Sequence, residues 1–136
     1  EWRTMRAYSF SQLLRHPLGL LAFAQEKNKF QKEYSSRFAG HIAITEIQQI
    51  EQRSFAKIGA LAVGEDYRGN GLASALVGEL IKTSSETLPG IDGYYAYVHP
   101  DSLSAFLDNG ANVVGARHTI APPTGCNIIV SIAGEG

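Results

Sequence analysis

The sequence of 136 residues contains a single cysteine, Cys126, and this scarcity excludes two ways of stabilising a fold. A disulfide within the chain needs two cysteines, and a cysteine-rich zinc site needs several. We therefore expect neither a disulfide nor a bound metal, and we expect Cys126 to pack in the interior rather than act as a nucleophile. A lone thiol fits the reducing cytoplasm best.

The sequence also lacks an excess of charge of one sign and a long apolar run. Its 12 Lys and Arg residues nearly balance 13 Asp and Glu residues, so the formal net charge is -1. The longest apolar candidate, residues 18–24, is far shorter than the roughly 20 residues of a membrane-spanning helix. We expect no nucleic-acid partner and no membrane partner, so an anionic ligand would have to be bound by a local feature.

Apolar residues are present in the proportion of an ordinary soluble domain, with 44% hydrophobic and 18% charged residues. This composition is too apolar for a disordered chain. A single domain of this length buries roughly two thirds of the surface of its unfolded chain. We therefore expect one domain over residues 1–136, and the start at Glu1 leaves open a longer polypeptide.

The first third of the chain gives weak signals for secondary structure. Phe10, Leu13 and Leu14 recur at helical spacing, so we predict a short helix over residues 9–15. Residues 20–25 are apolar over too short a length to separate a strand from a buried helical turn. Both alternatives stay open for that segment.

Two strands with a clear pattern follow. Residues 40–47 and 55–63 alternate apolar and polar side chains, as half-buried strands do. The polar stretch 48–54 between them lacks the Asn-Gly pair of a tight turn. We predict an antiparallel hairpin with a longer connection.

From residue 71 the apolar spacing changes to that of a helix. Leu72, Leu76 and Leu80 recur at four-residue steps, which predicts an amphipathic helix over residues 71–87. The other predicted elements are a strand at 94–99, a short helix at 101–109 followed by a left-handed Gly110, and strands at 112–119 and 127–133. This order predicts an α/β (α+β) fold with a mixed, mostly antiparallel central sheet flanked by helices.

The segment around residue 70 has the features of an anion-binding loop. An apolar strand ends there, a glycine-rich turn follows, and a helix begins. The first N–H groups of a helix lack internal partners and favour phosphate oxygens. Gly69 and Gly71 let the backbone approach a ligand, and Arg68 can add a charge-assisted bond. The Gly-Lys-Ser/Thr ending of a Walker loop and the three glycines of a dinucleotide fingerprint are absent.

These residues bring the sequence close to a known family. Arg68-x-x-Gly71-x-Ala73, preceded by Leu61-Ala62-Val63 and Tyr67, closely resembles the pyrophosphate loop of the GNAT acyltransferases. The predicted order of elements from residue 40 to residue 133, about two thirds of the chain, is also similar to that family. The resemblance implies a GNAT-like fold in which a splayed pair of strands forms a coenzyme A cleft.

The resemblance further implies that acetyl-CoA is the cosubstrate and that a primary amine of a small molecule or protein attacks it directly in a ternary complex. The strand before the loop would contact the pantetheine arm, and the loop amides would bind the pyrophosphate. By this resemblance the cofactor-binding residues are Leu61, Ala62, Val63, Arg68, Gly69, Asn70, Gly71, Leu72, Ala73 and Ser74.

The sequence departs from the family at the positions of the usual catalytic groups. Where many relatives place a Glu or His base, this chain has Lys57 and Gly59. Where relatives often place a tyrosine that protonates the leaving thiolate, it has Phe106, which carries no acidic proton. A lysine is a poor base unless burial lowers its pKa.

Three residues remain as catalytic candidates. Glu46 would reach the acceptor through a water molecule, and Tyr97 is one of several hydroxyl groups that would take the vacant acid role; the others are Tyr94, Tyr95 and Ser104. His99, at a position often occupied by asparagine in relatives, is either a base or CoA contact, or a cap of the turn into the next helix.

The acceptor side of the family fold is bordered by N-terminal helices, the hairpin and the loop at 120–125. Residues 1–33 are shorter than the strand and two helices that usually open the fold, so we expect an abbreviated opening or residues upstream of Glu1. Two alternatives to an active enzyme of this length stay open. One is a catalytically degenerate acyl-CoA-binding module, and the other is a domain that needs a larger protein or a homodimer.

Overall fold

The computed structural model describes residues 2–10, 16–27, 34–117, 125, 126 and 128–134. Within these residues, seven strands form one sheet in the order β1-β2-β3-β4-β5-β7-β6. The elements are β1 (Trp2–Phe10), β2 (His16–Lys27), β3 (Tyr34–Ile50), β4 (Arg53–Val63), α1 (Leu72–Thr87), β5 (Ile91–Val98), α2 (Leu103–Leu107), β6 (Asn112–Ala116) and β7 (Ile128–Ala133). None of the described helices is both long and apolar enough to cross a membrane.

The sheet is antiparallel except at one pair of strands in its middle. β4 and β5 run parallel, and their pairing extends only from Ser54 opposite Ile91 to Lys57 opposite Tyr95. Beyond these residues the two strands diverge, and β5 pairs instead with β7 on its other edge. The predicted mixed, mostly antiparallel sheet with a splayed pair of strands is therefore confirmed.

Helix α1 covers one face of the sheet and forms the core with it. Its apolar residues Leu72, Leu76, Val77 and Leu80 are almost completely buried, at the three- and four-residue spacing that places them on one helix face. They pack against alternate residues of the strands; the larger of these are Leu18, Leu20, Ile42, Ile44, Ile58, Tyr94, Val98, Val130 and Ile132. This core fixes the start of α1 beside the end of β4.

The beginning of the chain differs from the prediction. Ser9 and Phe10 belong to β1, where Phe10 lies opposite His16 of β2, so the predicted helix over residues 9–15 is wrong at its start; residues 11–15 lie outside the described part. Residues 20–25, left open between strand and helical turn, belong to β2. The spacing of three apolar residues was outweighed by strand pairing, which a local pattern does not reveal.

The connection between β3 and β4 also differs from the prediction. The strands extend to Ile50 and from Arg53, so two residues rather than the stretch 48–54 form the turn. Glu51 and Gln52 both adopt positive φ, 52° and 68°. A tight hairpin turn of type I′ requires this backbone at both positions, which Asn-Gly adopts most readily. Here Glu and Gln adopt it without that sequence signal.

The later elements agree with the prediction apart from their ends. β5 begins at Ile91, and a 3-10 turn over Pro100–Ser102 shortens the helix predicted at 101–109 to Leu103–Leu107. Gly110 has φ 85°, with its N–H donating to Leu107 and that of Ala111 donating to Phe106. These two bonds form a Schellman motif, so the predicted left-handed glycine is confirmed. β6 ends at Ala116, and positions 118, 119 and 127 of the last two predicted strands lie outside the described residues.

Candidate active site

The loop after β4 is held by backbone hydrogen bonds at its start. The N–H of Gly64 donates to the carbonyl oxygen of Ala39 at 2.7 Å, and a 3-10 turn follows over Glu65–Tyr67. Arg68 then folds back, so that its Nε donates to the carbonyl oxygen of Val63 at 3.2 Å. The loop therefore leaves the sheet in a defined direction and arrives at the first turn of α1.

The glycines of this loop present open backbone. Gly69 and Gly71 have φ of 80° and 78°, and a Cβ atom added at either would meet no atom within 4 Å. Gly71 directly precedes α1 and has no side chain to cap the helix. The first helical hydrogen bond runs from the N–H of Ala75 to the carbonyl oxygen of Gly71. In the described part of the chain, no group accepts a hydrogen bond from the amides between Gly69 and Ser74. These amides and the helix dipole form a site that favours an anion.

A cavity of about 670 Å³ lies directly against this loop. Of the ten residues predicted to bind the cofactor, nine line it; the exception is Asn70. Its opposite wall comes from the segment after β5 and from α2, including His99, Ser104 and Asp108. The sequence motif and the start of α2 thus face each other across one space.

Asn109 fixes the position of α2 beside the loop, and sequence reasoning missed it. Its Nδ2 donates to the carbonyl oxygens of Ser74 at 2.9 Å and Ala105 at 2.8 Å. A Cβ atom at Gly78 would lie 2.7 Å from the Asn109 Oδ1, so a larger residue on α1 at this crossing would displace the Asn109 side chain. The glycine within an otherwise regular helix was the available signal of a close approach.

A second cavity of about 450 Å³ opens where β4 and β5 diverge. A β-bulge shapes its β4 wall, because Ala60 and Leu61 together lie opposite the single residue Ile42. Ala60 has φ 54°, which is uncommon for a residue other than glycine and typical of a bulge near a functional site. This second cavity shares Leu61, His99 and Ser102 with the loop cavity, so the two form one continuous groove.

Two cations lie over one aromatic ring in the second cavity. The Nζ of Lys57 lies 4.9 Å from the ring centroid of Tyr97, and the Cζ of Arg117 lies 3.9 Å from it. The Arg117 Nε also donates to the carbonyl oxygen of Cys126 at 3.1 Å, which orients the guanidinium. The predicted candidate Tyr97 therefore lies within the cavity, beside two positive charges that the sequence did not connect to it.

His99 lies at the junction of the two cavities and also caps the turn that follows it. Its Nδ1 accepts a hydrogen bond from the N–H of Asp101 at 3.0 Å, so the neutral ring carries its proton on Nε2. A Cβ atom at Gly125 would approach the His99 ring to 2.7 Å. The capping interaction considered from the sequence is thus present, and it leaves the Nε2 side of the ring free of this bond.

Glu46 lies beside the second cavity rather than among its lining residues. Its carboxylate accepts a hydrogen bond from the Tyr95 hydroxyl at 2.8 Å and one from the Gln48 Nε2 at 3.3 Å. Burial raises the pKa of Tyr95 above its usual value, and the hydrogen bond to Glu46 and its negative charge raise it further. Tyr95 therefore stays protonated and holds the Glu46 carboxylate in place.

Phe106 and Gly59, which the resemblance aligns with catalytic groups, carry no acid or base. Phe106 is buried and lines the second cavity with an apolar ring. A side chain at Gly59 would place its Cβ 2.9 Å from the Thr45 Cγ2, so Thr45 would have to move to accommodate it. The Tyr94 hydroxyl, another candidate, faces α1 and bonds to the buried Ser84 instead.

The electrostatic character of the second cavity is positive. Among its described lining residues none is Asp or Glu, whereas Lys57 and Arg117 are both present. Its remaining polar groups include Thr45, Ser102 and the partly buried thiol of Cys126. Within the described part of the chain, no three His, Cys, Asp or Glu side chains are grouped to hold a metal ion.

Comparisons with known proteins agree on one family. The family model described as "Acetyltransferase (GNAT) family" matches residues 2–106. No curated protein sequence matches the chain significantly.

Solved structures share its fold at low sequence identity. A GNAT-family acetyltransferase from Streptococcus pneumoniae has a TM-score of 0.65 and 17% identity, and the match covers 86% of this chain and 66% of the acetyltransferase chain. NAA60 from Arabidopsis thaliana, in complex with a bisubstrate analogue, has a TM-score of 0.64 and 20% identity, covering 88% and 76%. A phosphinothricin acetyltransferase from Sinorhizobium meliloti, in complex with acetyl-CoA, has a TM-score of 0.60 and 16% identity, covering 88% and 62%. The chain thus spans between about three fifths and three quarters of their lengths.

Proposed function

The chain belongs to the GNAT acetyltransferase family, and on that premise we propose that it transfers the acetyl group of acetyl-CoA to a primary amine. The observation that carries this proposal is the continuous groove, with unpartnered loop amides at one end and the cleft between β4 and β5 at the other. A long ligand with an anionic end and a reactive end matches such a groove. Two of the solved structures of similar fold contain acetyl-CoA or a bisubstrate analogue.

In this proposal the loop holds the pyrophosphate of acetyl-CoA. The amides from Gly69 to Ser74 donate to its oxygens, and Arg68 adds a positive charge. The pantetheine arm lies along β4 beyond Lys57, where the edge toward β5 is unpaired among the described residues. Leu61 then offers its backbone groups to the pantetheine amides, as a strand does in β-augmentation.

The reaction takes place at the junction of the two cavities. The lone pair of a neutral amine attacks the thioester carbonyl carbon, so that a C–N bond forms and the C–S bond breaks. The nitrogen loses one proton and the sulfur of CoA gains one, which gives an N-acetyl product and free CoA. Positioning both reactants in one groove supplies a large part of the rate acceleration.

We assign to His99 the hydrogen bond that stabilises negative charge on the thioester oxygen, because it alone of the three predicted catalytic residues lines both cavities. Because its Nδ1 accepts from the N–H of Asp101, the neutral ring carries its proton on Nε2 and donates a hydrogen bond from there, while the proton lost by the amine passes to water. Tyr97 forms the wall of the acceptor cleft. Glu46 accepts a hydrogen bond from the Tyr95 hydroxyl and, as a positioning residue, orients that side chain.

A second candidate function is favoured by Phe106 and by the absence of a base at Lys57 and Gly59. A degenerate member of the family would bind acyl-CoA as a sensing module and would not turn it over. This alternative predicts tight acetyl-CoA binding without amine-dependent release of CoA. The two functions therefore differ in a single assay.

The assay mixes the protein with acetyl-CoA and a panel of primary amines, and it measures free CoA thiol together with the mass of the N-acetyl product. The proposal predicts that both appear in equal amounts. Binding of acetyl-CoA without either product, across the panel, would establish the sensing module instead.

Variants of His99 separate its two roles. His99→Ala removes the ring and the cap, whereas His99→Asn keeps an oxygen that can accept from the N–H of Asp101. Removing one hydrogen-bond donor to the developing oxyanion typically costs about 10²-fold or more, so we expect kcat to fall by about that factor in both variants. His41→Gln, outside both cavities, is the control. Recovery of full activity in His99→Asn would assign His99 to capping alone.

A further inference from the structure

The second cavity is lined by two cations, Lys57 and Arg117. Neither Lys57 nor Arg117 forms an ion pair with an Asp or Glu of the described residues. Glu46 lies opposite Lys57 in the pairing of β3 with β4, but its carboxylate accepts hydrogen bonds from Tyr95 and Gln48. Lys57 lies instead over the ring of Tyr97.

The two cations lie over the same aromatic ring and line the same cavity. Both lie within 5 Å of the Tyr97 ring centroid, at 4.9 Å for Lys57 and 3.9 Å for Arg117. Because the Nε of Arg117 is fixed on the carbonyl oxygen of Cys126, its two terminal nitrogens remain for a ligand. The planar guanidinium fork matches the two oxygens of a carboxylate, and a lysine adds a second charge-assisted bond. Two like charges that line one cavity favour a bound anion.

We propose that the acceptor of this enzyme is a small primary amine that also carries a carboxylate, as an amino acid does, and that Lys57 and Arg117 hold this carboxylate against Tyr97. The inference rests on the acetyl transfer proposed above. The volume of about 450 Å³ is in the range of small-molecule sites. An acceptor with several positive charges would meet two cations in this cavity and no described acid among its lining residues.

The same two cations account for the absence of a carboxylate base. A positive charge nearby lowers the pKa of a bound ammonium group, because it disfavours the charged form. The acceptor carboxylate draws the molecule into the cavity, while its amine is held beside positive charge and loses its proton more readily. In this proposal Lys57 lies where the resemblance places a base, and its positive charge promotes deprotonation of the acceptor amine instead of accepting the proton.

The test compares acceptors that differ only in the carboxylate. Kinetics with acetyl-CoA are measured for glycine against glycinamide, L-alanine against L-alaninamide, and L-phenylalanine against L-phenylalaninamide. We expect kcat/KM to favour at least one acid over its amide by about tenfold to a hundredfold, the usual contribution of one or two charged hydrogen bonds. In each pair the amine of the amide is less basic than the amine of the acid, so a larger fraction of it is neutral and reactive. This difference alone would favour the amide, so a preference for the acid cannot come from amine basicity.

Variants assign the preference to the two residues. Lys57→Gln and Arg117→Gln are each expected to reduce the acid-to-amide ratio about tenfold, mainly through KM, and Lys57→Arg is expected to keep most of it. Arg53→Gln is the matched control, since Arg53 also lies over an aromatic ring, Phe55, at 5.5 Å but lines neither cavity. A ratio unchanged in both glutamine variants would overturn the assignment.

A binding measurement tests the inference without turnover. Calorimetric titrations with N-acetylglycine and N-acetylglycinamide, and with the corresponding alanine and phenylalanine pairs, are carried out in the presence of CoA. Tighter binding of the acids, lost in Arg117→Gln, supports the proposal, and equal binding or no binding of both members in all pairs contradicts it. Efficient transfer to peptide amines with none to amino acids also contradicts it.

These outcomes distinguish the inference from the function beneath it. Equal transfer to acids and amides would remove the carboxylate subsite and leave the acetyltransferase intact. Failure to bind acetyl-CoA in a parallel titration would remove the proposed function itself.

Discussion

Replacing a loop glycine offers a matched test of the cofactor site. Gly71 and Gly90 lie just before and just after the span of α1, with φ of 78° and 87°, and a Cβ atom at either meets no atom within 4 Å. Gly71→Leu and Gly90→Leu therefore impose a similar backbone strain, roughly 1–2 kcal/mol for an L-residue in the left-handed region. Only the leucine at position 71 stands over the amides that would bind pyrophosphate.

The expected size of the effect follows from ligand linkage. Acetyl-CoA at a hundredfold excess over its dissociation constant stabilises the folded state by about 2.7 kcal/mol. For a domain of this size 1 kcal/mol corresponds to roughly 3–5 °C in the unfolding midpoint, so the wild type should gain about 10 °C. Gly90→Leu should show the same gain from a lower starting midpoint, whereas Gly71→Leu should gain little.

The assay is thermal unfolding followed by fluorescence or circular dichroism over a titration of acetyl-CoA. The starting midpoints of the two variants should agree within a few degrees, which serves as the control for strain. An equal ligand-induced gain in both variants would refute the placement of the pyrophosphate at this loop. A loss of the gain in both would show that the measurement reports strain rather than binding.

Four further changes test the structure around the site. Ser84→Ala leaves the buried Tyr94 hydroxyl without its partner and should lower the free energy of unfolding in urea by about 1–3 kcal/mol. Adding Tyr94→Phe to this variant should recover part of that loss. Strictly additive losses of the two single variants would contradict a direct bond between the side chains. Asn109→Ala should lower the free energy of unfolding by about 1–2 kcal/mol and weaken acetyl-CoA binding several-fold, as measured by calorimetry. An unchanged dissociation constant would show that the position of α2 does not affect the loop. The pKa of Tyr95 is raised in the folded state, so Tyr95 contributes stability that is present below the ordinary tyrosine pKa of about 10 and is lost as pH rises above it. Tyr95→Phe should therefore lose less stability than the wild type as pH rises in the alkaline range. An identical dependence of stability on pH in the two proteins would argue against the raised pKa. Leu76→Ala should cost about 2–5 kcal/mol, and a cost below 1 kcal/mol would be inconsistent with its complete burial.

The cofactor loop could be predicted from the sequence because its signals are local. Gly69 and Gly71 need positive φ, and the strand and helix beside them have clear apolar periodicities. The loop therefore lies where the motif indicated, with nine of the ten predicted residues along one cavity. The assignment of CoA contacts to these residues stays a prediction.

Other parts of the fold depend on contacts that sequence spacing does not encode. Phe10 closes β1 because it pairs with His16, although its spacing from Leu13 and Leu14 is helical. Glu51 and Gln52 form a tight turn because both long flanking strands pair up to it, overriding the preference for Asn-Gly. In both places tertiary pairing prevailed over local pattern.

The second cavity was the least predictable part of the site for the same reason. Lys57 belongs to β4, whereas Arg117 directly follows β6. The two meet at Tyr97 through the register of the sheet, in which Ile128 lies opposite both Val98 and Ala116. The sequence identified Lys57 as an unsuitable base but gave no reason to connect it with Arg117. Likewise, the bonds of Asn109 to the first turn of α1 depend on how α2 packs.

The most direct test of the account is the position of acetyl-CoA in a crystal structure of its complex with this protein. The account predicts that the pyrophosphate lies within hydrogen-bonding distance of the amides from Gly69 to Ser74, and that the acetyl group lies between β4 and β5, beside Leu61 and His99. A pyrophosphate bound elsewhere, or an acetyl group outside the cleft that contains Lys57, Tyr97 and Arg117, would contradict it.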